Sequence, residues 1–358
     1  MLAQLPPSIS EEPVTIAVYP PIFELELEKG QSYQNKVLLR NKSELAIPIE
    51  TDVVNFTAKD EFGGISFEIH ETDTKKEHET DAKKWFKIEK PDFILEPKGS
   101  ERIKFKIDVP KDVGRGGYYG TILFKSKLPS YYFEKDYNPP TALPATGGAP
   151  AAKAIPQIGV LFLISVGKGG KADFEIVEFG IPEEKRIKIL EKLSRNILGG
   201  SIIVDGSLLP FNLRVKNNDI YHMKPSGILE IYKFAENCSP QNLIGRTEIK
   251  ETTILPGKIR QFSIEFQPDL FEKLNKFLPK FLAGFVSENL FLGKYKVFLK
   301  LHGSAEVEKE MDIWIFPFKG IIILLLLGFI ISFIIMKYTK QTRKNKDTEK
   351  RKKKVVLS

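Results

Sequence analysis

SERIKFKIDVP, residues 100–110, carries the signature on which the fold turns. Ile103, Phe105, Ile107 and Val109 alternate with Lys104, Lys106 and Asp108. Successive side chains of a strand point to opposite faces, so a period of two describes a strand with one buried and one solvated face. FELELEKG at 23–30 repeats the pattern: Phe23, Leu25 and Leu27 alternate with Glu24, Glu26 and Glu28, and Gly30 ends the run. Outward from these two lie VTIAVYP (14–20), YQNKVLLRNKS (33–43), AIPIETDVVNF (46–56), WFKIEKPDFIL (85–95), GGYYGTILFK (116–125) and IGVLFLISVG (158–167). About eight strand-like runs broken by turn residues, with no periodic helix between them, predict an antiparallel sandwich of immunoglobulin type.

Two inserts interrupt this first sandwich, which spans 14–168. Residues 70–84 (HETDTKKEHETDAKK) read as a solvated loop, and 126–157 as a flexible insert rich in Pro, Ala and Gly. KGGK at 168–171 is a boundary. A second strand set follows: ADFEIVEFGI (172–181), GSIIVDG (200–206), FNLRVKNN (211–218), SGILEIYKF (226–234), RQFSIEF (260–266) and GKYKVFLKLHG (293–303). It predicts a second immunoglobulin-like sandwich over 172–308. Within it, Leu270, Phe271, Leu274, Phe277, Leu278, Phe281, Leu282 and Phe285 recur at helical spacing, so 268–285 is expected to be a helical insert kinked at Pro279. Packing on the second sandwich is the favoured role; lying on a membrane surface is the alternative.

The C-terminal part reads differently. GIIILLLLGFIISFIIM (320–336) has no charge, and with Phe316 to Lys319 it gives a transmembrane helix over 316–336. A bilayer core of ~30 Å needs about 20 helical residues. Trp314 and Tyr338 are placed for the interfacial aromatic belts, and Lys319 for snorkelling to the headgroups. The tail 337–358 holds ten Lys or Arg against two acids, which accounts for the whole +8 of the chain. The excess charge is therefore an orientation signal rather than a nucleic-acid signal: the tail stays cytoplasmic and the N-terminal bulk faces outward. An exported ectodomain needs a signal peptide. Residues 1–13 lack an apolar core, so they are expected to be a disordered remnant of such a region, with Met1 not the true start.

The short motifs yield little chemistry. LPATG at 143–147 matches a sortase signal but lies far from the anchor, and a flexible loop accounts for it. His70 and His78 fit no tight metal-ligand spacing. Cys238 is the only cysteine and cannot form an intramolecular disulfide. No nucleophile–base pair, phosphate loop or dinucleotide fingerprint is present, so no enzyme activity and no cofactor are expected. NKS (41–43), NFT (55–57) and NCS (237–239) match the glycosylation sequon. Tyr118 and Tyr119 are expected to alternate between core and surface.

The order of motifs carries a resemblance. P-x-F-x-L-E-x-x-K-G-x-S from Pro21 is followed by V-x-L-x-N-x-S (37–43), Trp85, F-x-L-x-P-x-x-S (93–100), I-x-V-P (107–110) and R-G-G-Y-Y-G (115–120). This resembles the first domain of the WxL-interacting proteins, surface proteins of Gram-positive bacteria. V-K-N-N (215–218), H-x-x-P-x-G (222–227), I-L-P-G-x-x-R (254–260) and L-G-K-Y (292–295) are similar to that family's membrane-proximal domain. The resemblance implies two immunoglobulin-like domains, the first associated with peptidoglycan and the second with host or partner proteins.

The expected function is therefore a non-catalytic, membrane-anchored surface protein that holds wall polymer or a partner protein. A structural stalk or assembly scaffold is the alternative, and a surface hydrolase fits poorly. Exposed aromatics stacking on sugar faces are the expected chemistry for a glycan, which makes Tyr131, Tyr132, Phe133 and Tyr137 the candidate ligand residues. Packing of their loop onto its own sandwich is the competing role.

Overall fold

A computed structural model describes residues 14–68, 81–128, 157–167, 173–194, 202–206, 208–234, 240–303 and 306–356. The chain is two tandem immunoglobulin-like β-sandwiches followed by one C-terminal apolar helix. It divides into two compact units. The first comprises Met1–Glu175, Val215–Lys224 and Thr252–Arg260; the second comprises Ile176–Arg214, Pro225–Glu251 and Gln261–Ser358.

In the first sandwich the strands are β1 (Ile16–Tyr19), β2 (Ile22–Leu27), β3 (Ser32–Asn41), β4 (Ile47–Ala58), β5 (Ile65–Glu68), β6 (Phe86–Ile88), β7 (Asp92–Leu95), β8 (Ser100–Asp108), β9 (Gly116–Ser126) and β10 (Gln157–Val166). One sheet has the order β1-β3-β8-β6. The other has the order β2-β10-β9-β4-β5, with β7 also paired to β4. The alternation in 100–110 is realised as read: Ile103, Phe105 and Ile107 are buried, and Lys104 faces solvent. They meet Ile122, Phe124, Phe162 and Ile164 of the second sheet in one core. Phe162 is its hub, stacked on Phe23 at 5.0 Å and edge-on to Phe86 and Phe105 at 4.9 and 5.0 Å. Aromatic pairs at such spacings add to the burial of apolar area.

Several expectations change. The 85–95 run is two strands, because Pro91 and the turn before it break the ladder. Residues 82–84, expected in the solvated loop, form a 3₁₀ turn with Trp85 that buries Ala82 and Trp85. Trp85 packs on Tyr118 at 4.6 Å, and the Tyr118 hydroxyl donates to the Gly114 carbonyl at 3.0 Å. Tyr118 is buried, and Tyr119 is half-buried with its hydroxyl oxygen out of solvent. The other face of β9 is covered by a second apolar cluster of Phe56, Leu163 and Leu255, against which Tyr119 packs. Thr252–Arg260, which supplies Leu255, lies in this unit.

The sequon residues Asn41 and Asn55 have structural work. Asn41 is fully buried and donates to the carbonyls of Leu45, Leu95 and Glu96 at 2.6, 3.2 and 3.0 Å. Its Oδ1 accepts from the N–H and hydroxyl of Ser43 at 2.9 and 2.7 Å. Asn55 bonds the Asp81 carboxylate and the Lys83 N–H, each at 2.9 Å.

The second sandwich contains β11 (Phe174–Gly180), β12 (Ile202–Asp205), β13 (Leu209–Asn217), β14 (Ser226–Lys233), β15 (Leu243–Ile249), β16 (Ile259–Phe266), β17 (Gly293–His302) and β18 (Glu306–Phe316). They form a three-stranded sheet, β11-β13-β16, and a five-stranded sheet, β12-β18-β17-β14-β15. The helices are α1 (Lys188–Ser194), α2 (Asp269–Asn275), α3 (Lys280–Leu290) and α4 (Phe318–Val356). The sandwich therefore continues past 308 through β18. The single kinked helix expected at 268–285 is two helices, because Pro279 sits in extended geometry at the α3 N-cap and stops α2 from running on.

The apolar helix begins two residues later than the expected 316. Phe316 pairs with Asp205 in the ladder, and Pro317 closes the strand. Phe318–Lys340 is long and apolar enough to cross a membrane, and almost none of it is buried. Its first turn is tied to the five-stranded sheet. The Asp205 carboxylate accepts from the Phe318 N–H at 3.1 Å and pairs with Lys319 Nζ at 3.4 Å.

Candidate functional site

Tyr131, Tyr132, Phe133 and Tyr137 lie outside the described residues, as do LPATG, His70, His78 and Cys238. Trp314 is half-buried on β18, opposite Lys294 and Ile203. Lys319 is in the first turn of α4, and Tyr338 is exposed near the end of its apolar part. A different surface of the first sandwich stands out.

Its basis is strand register. Val37 and Leu39 of β3 and Ile103, Phe105 and Ile107 of β8 point into the core. The intervening residues must therefore share the outer face. Register places Lys36 opposite Lys104, Leu38 opposite Arg102, and Gln34 opposite Lys106. On the other side of β8, Lys87 lies opposite Lys106. Arg40 extends the same face towards β1. Six cations thus occupy a small sheet face, and Lys36–Lys104 and Lys87–Lys106 are like charges directly opposite one another. Such cross-strand pairs are unfavourable unless an anion lies between them.

One pair has its anion in the chain. Asp108 accepts from Lys106 at 2.6 Å, Lys87 at 2.9 Å and the Ser32 hydroxyl at 2.6 Å. Those donors, Lys106 first, hold its carboxyl well below the usual carboxylate range. The other pair is less complete. Lys104 meets Glu89 at 3.4 Å, whereas Lys36, Arg40 and Arg102 have no carboxylate partner among the described residues. Between the lysines lies a shallow depression of about 450 Å³, with Gln34, Asn35 and Glu89 on its walls and Phe105 and Ile88 beneath. Amide, ammonium and carboxylate groups over an apolar floor suit a polar, anion-bearing polymer.

These residues fall inside one recognised domain. Residues 19–126 match the model described as WxL Interacting Protein, peptidoglycan binding domain. Over this segment the chain is similar to the WxL-interacting proteins. The family description names a binding domain, and the basic sheet face lies wholly within the matched residues. No curated protein matches the chain. Among solved structures, the class 5 fimbriae chaperone CfaA is 14% identical, with a TM-score of 0.33, covering 85% of this chain and 100% of its own. The E. coli chaperone DraB is 10% identical, with a TM-score of 0.31, covering 84% and 98%. The PapD-like domain 7 of human CEP192 is 12% identical, with a TM-score of 0.26, covering 48% and 98%. Similarity at this level implies nothing about what the chain binds.

A second polar feature lies deeper in the first unit. The Tyr119 and His222 rings meet edge-on at 5.8 Å. Burial pushes the Tyr119 hydroxyl's pKa up and the His222 imidazole's down, so both stay neutral near pH 7. His222 Nδ1 is buried without a hydrogen-bond partner among the described residues. Glu24, Glu26 and Lys224 are the charges that act on it.

The basic face was legible only in part. Lys104 and Lys106 are visible in the 100–110 alternation, but as an ordinary solvated edge. Their opposition to Lys36 and Lys87 depends on register, which a single strand's sequence does not specify.

Proposed function

We propose that this chain is a non-catalytic, membrane-anchored cell-surface protein that holds cell-wall polymer on the basic face of its first sandwich. The match of 19–126 to a peptidoglycan-binding domain is the observation that carries this reading. The basic face supplies the chemistry. Lys36, Arg40, Arg102 and Lys104 would pair with carboxylates of the wall polymer, while Gln34 and Asn35 would hydrogen-bond its hydroxyl and amide groups.

In this reading α4 crosses the bilayer between 318 and 340, with the sandwiches outside and the basic tail inside. The two sandwiches act as separate domains joined at 168–171, and the second engages a partner protein close to the membrane. Co-sedimentation of the full chain, in detergent micelles, with purified peptidoglycan tests the wall reading. Retention in the pellet is expected, without release of soluble wall fragments. A chain that stays in the supernatant, or one that solubilises the wall, would contradict it.

A further inference from the structure

The helical insert 268–285 has an apolar face that the described residues of the second sandwich do not cover. Helix α2 packs on β15, and α3 turns back on α2. The small side of α3 makes that contact: Ala283 is fully buried, and a Cβ placed on Gly284 would lie 3.6 Å from the Phe271 ring. The opposite side is left outside. Phe277 is 85% exposed, Phe281 74% and Phe285 40%, and the last two are one helical turn apart. Large aromatic side chains in solvent at this density mark a contact surface.

The ladder says what that surface faces. Helix α3 ends at Leu290, just before β17 starts at Gly293; β18 ends at Phe316, just before α4 starts at Phe318. Gly293 pairs with Ile315, and Lys294 with Trp314. The hairpin and the apolar helix therefore leave the same end of one antiparallel pair, and α3 touches α4. Exposed Phe234 belongs to this end too. Its N–H bonds the Lys294 carbonyl at 3.0 Å, and Lys294 Nζ sits 3.9 Å from its ring centre. Leu292 and Phe318 are exposed alongside. Lys276 and Lys280 immediately precede Phe277 and Phe281, where ammonium groups can reach headgroups.

We infer that the α2–α3 hairpin is a lipid-binding foot. Its phenylalanines lie in the headgroup–acyl boundary of the leaflet that α4 enters, so the second sandwich meets the bilayer at two points. Aromatic residues beside a membrane-crossing helix occupy that boundary layer, and an apolar helix face a few ångströms deep is stable there. The inference rests on α4 crossing the bilayer, as proposed above, and is independent of wall binding.

The test uses the full chain carrying Cys238→Ser, reconstituted in vesicles of phosphatidylcholine and phosphatidylglycerol. An environment-sensitive fluorophore is attached at one of four single cysteines: Phe277→Cys, Phe281→Cys, Glu272→Cys or Phe329→Cys. Lipids spin-labelled near the headgroup should quench the labels at 277 and 281 roughly two-fold or more above the label at 272. Lipids labelled deep in the chain should quench the label at 329. Quenching at 329 with none at 277 or 281 would overturn the foot while leaving the anchor intact. Blue-shifted emission at 277 and 281 without lipid quenching would also overturn it, and would assign the face to a protein or a second copy. A label at 329 that lipids do not quench would overturn both foot and anchor.

Discussion

The side chain of Asn41 donates to the carbonyl of Leu95 at 3.2 Å, tying the end of β3 to the end of β7 across more than fifty residues of chain. The same amide holds the Leu45 and Glu96 carbonyls and the Ser43 N–H. Asn217 repeats the device at the end of β13, donating to Tyr221 and Ile254 at 2.8 and 2.9 Å and accepting from the Asp219 N–H at 2.8 Å. Both asparagines are fully buried. Replacing Asn41 by Ala leaves several buried carbonyls and an N–H without partners. The expected cost is about 2–4 kcal/mol. Fluorescence of Trp85, buried beside Tyr118, would report the loss as an earlier unfolding transition in a Trp314→Phe background. An unchanged midpoint would mean that the amide is dispensable.

Asp108 neutralises two of the lysines on the basic face. Asp108→Asn keeps the shape and removes the charge, so wall retention is expected to rise. Because the carboxyl's pKa is depressed, it stays ionised through the mildly acid range, and its charge should not make retention vary between pH 7 and 5. Retention of the unaltered chain should fall as salt is raised from about 0.05 to about 0.5 M, since the contacts are exposed and screened. Salt-independent retention would point to apolar or sugar-stacking contacts instead.

His222 gives the first unit a pH-dependent component of stability. Burial lowers its folded-state pKa below 6.5, so the unfolded chain binds more protons as pH falls through that value. Stability from this residue is full above pH 6.5 and declines below it. The melting temperature should drop between pH 7 and pH 5, and His222→Gln should flatten that part of the profile. A profile unchanged by the substitution would assign the acid sensitivity to other groups.

Asp205 fixes the root of α4 through the Phe318 N–H and Lys319. A carboxylate on a helix N-terminal N–H contributes about 1 kcal/mol. Asp205→Ala should speed hydrogen exchange at the first amides of α4 while leaving β17 and β18 unchanged. Equal exchange in both proteins would show that Pro317 alone sets the junction.

The strands with clean alternation were legible, and 100–110 is the clearest case. Others were hidden for identifiable reasons. ISFE at 65–68 is too short to show a period, and LIGRTEI at 243–249 does not alternate cleanly. The first half of β18, EVEKEM, is so charged that it reads as the polar flank of the apolar helix, yet it pairs along its whole length with β17. The cluster beside Tyr119 was not legible, because nothing local reveals that Leu255, more than a hundred residues on, belongs to it. The basic face needed register as well as sequence: Lys36 and Lys104 are 68 positions apart and meet only through β3–β8 pairing. The described site is built from residues that individually look like ordinary strand exteriors.

Reversal of charge on the basic face tests wall binding most directly. The full chain carrying Lys36→Glu and Lys104→Glu would be co-sedimented with purified peptidoglycan beside the unaltered protein, with the unfolding transition confirming that the fold is intact. These exposed side chains face away from the core, so stability should change little. The account predicts that the unaltered chain pellets with the wall and that the double variant is largely lost to the supernatant. Undiminished retention of a folded double variant would contradict it and move the binding surface off the β3–β8 face.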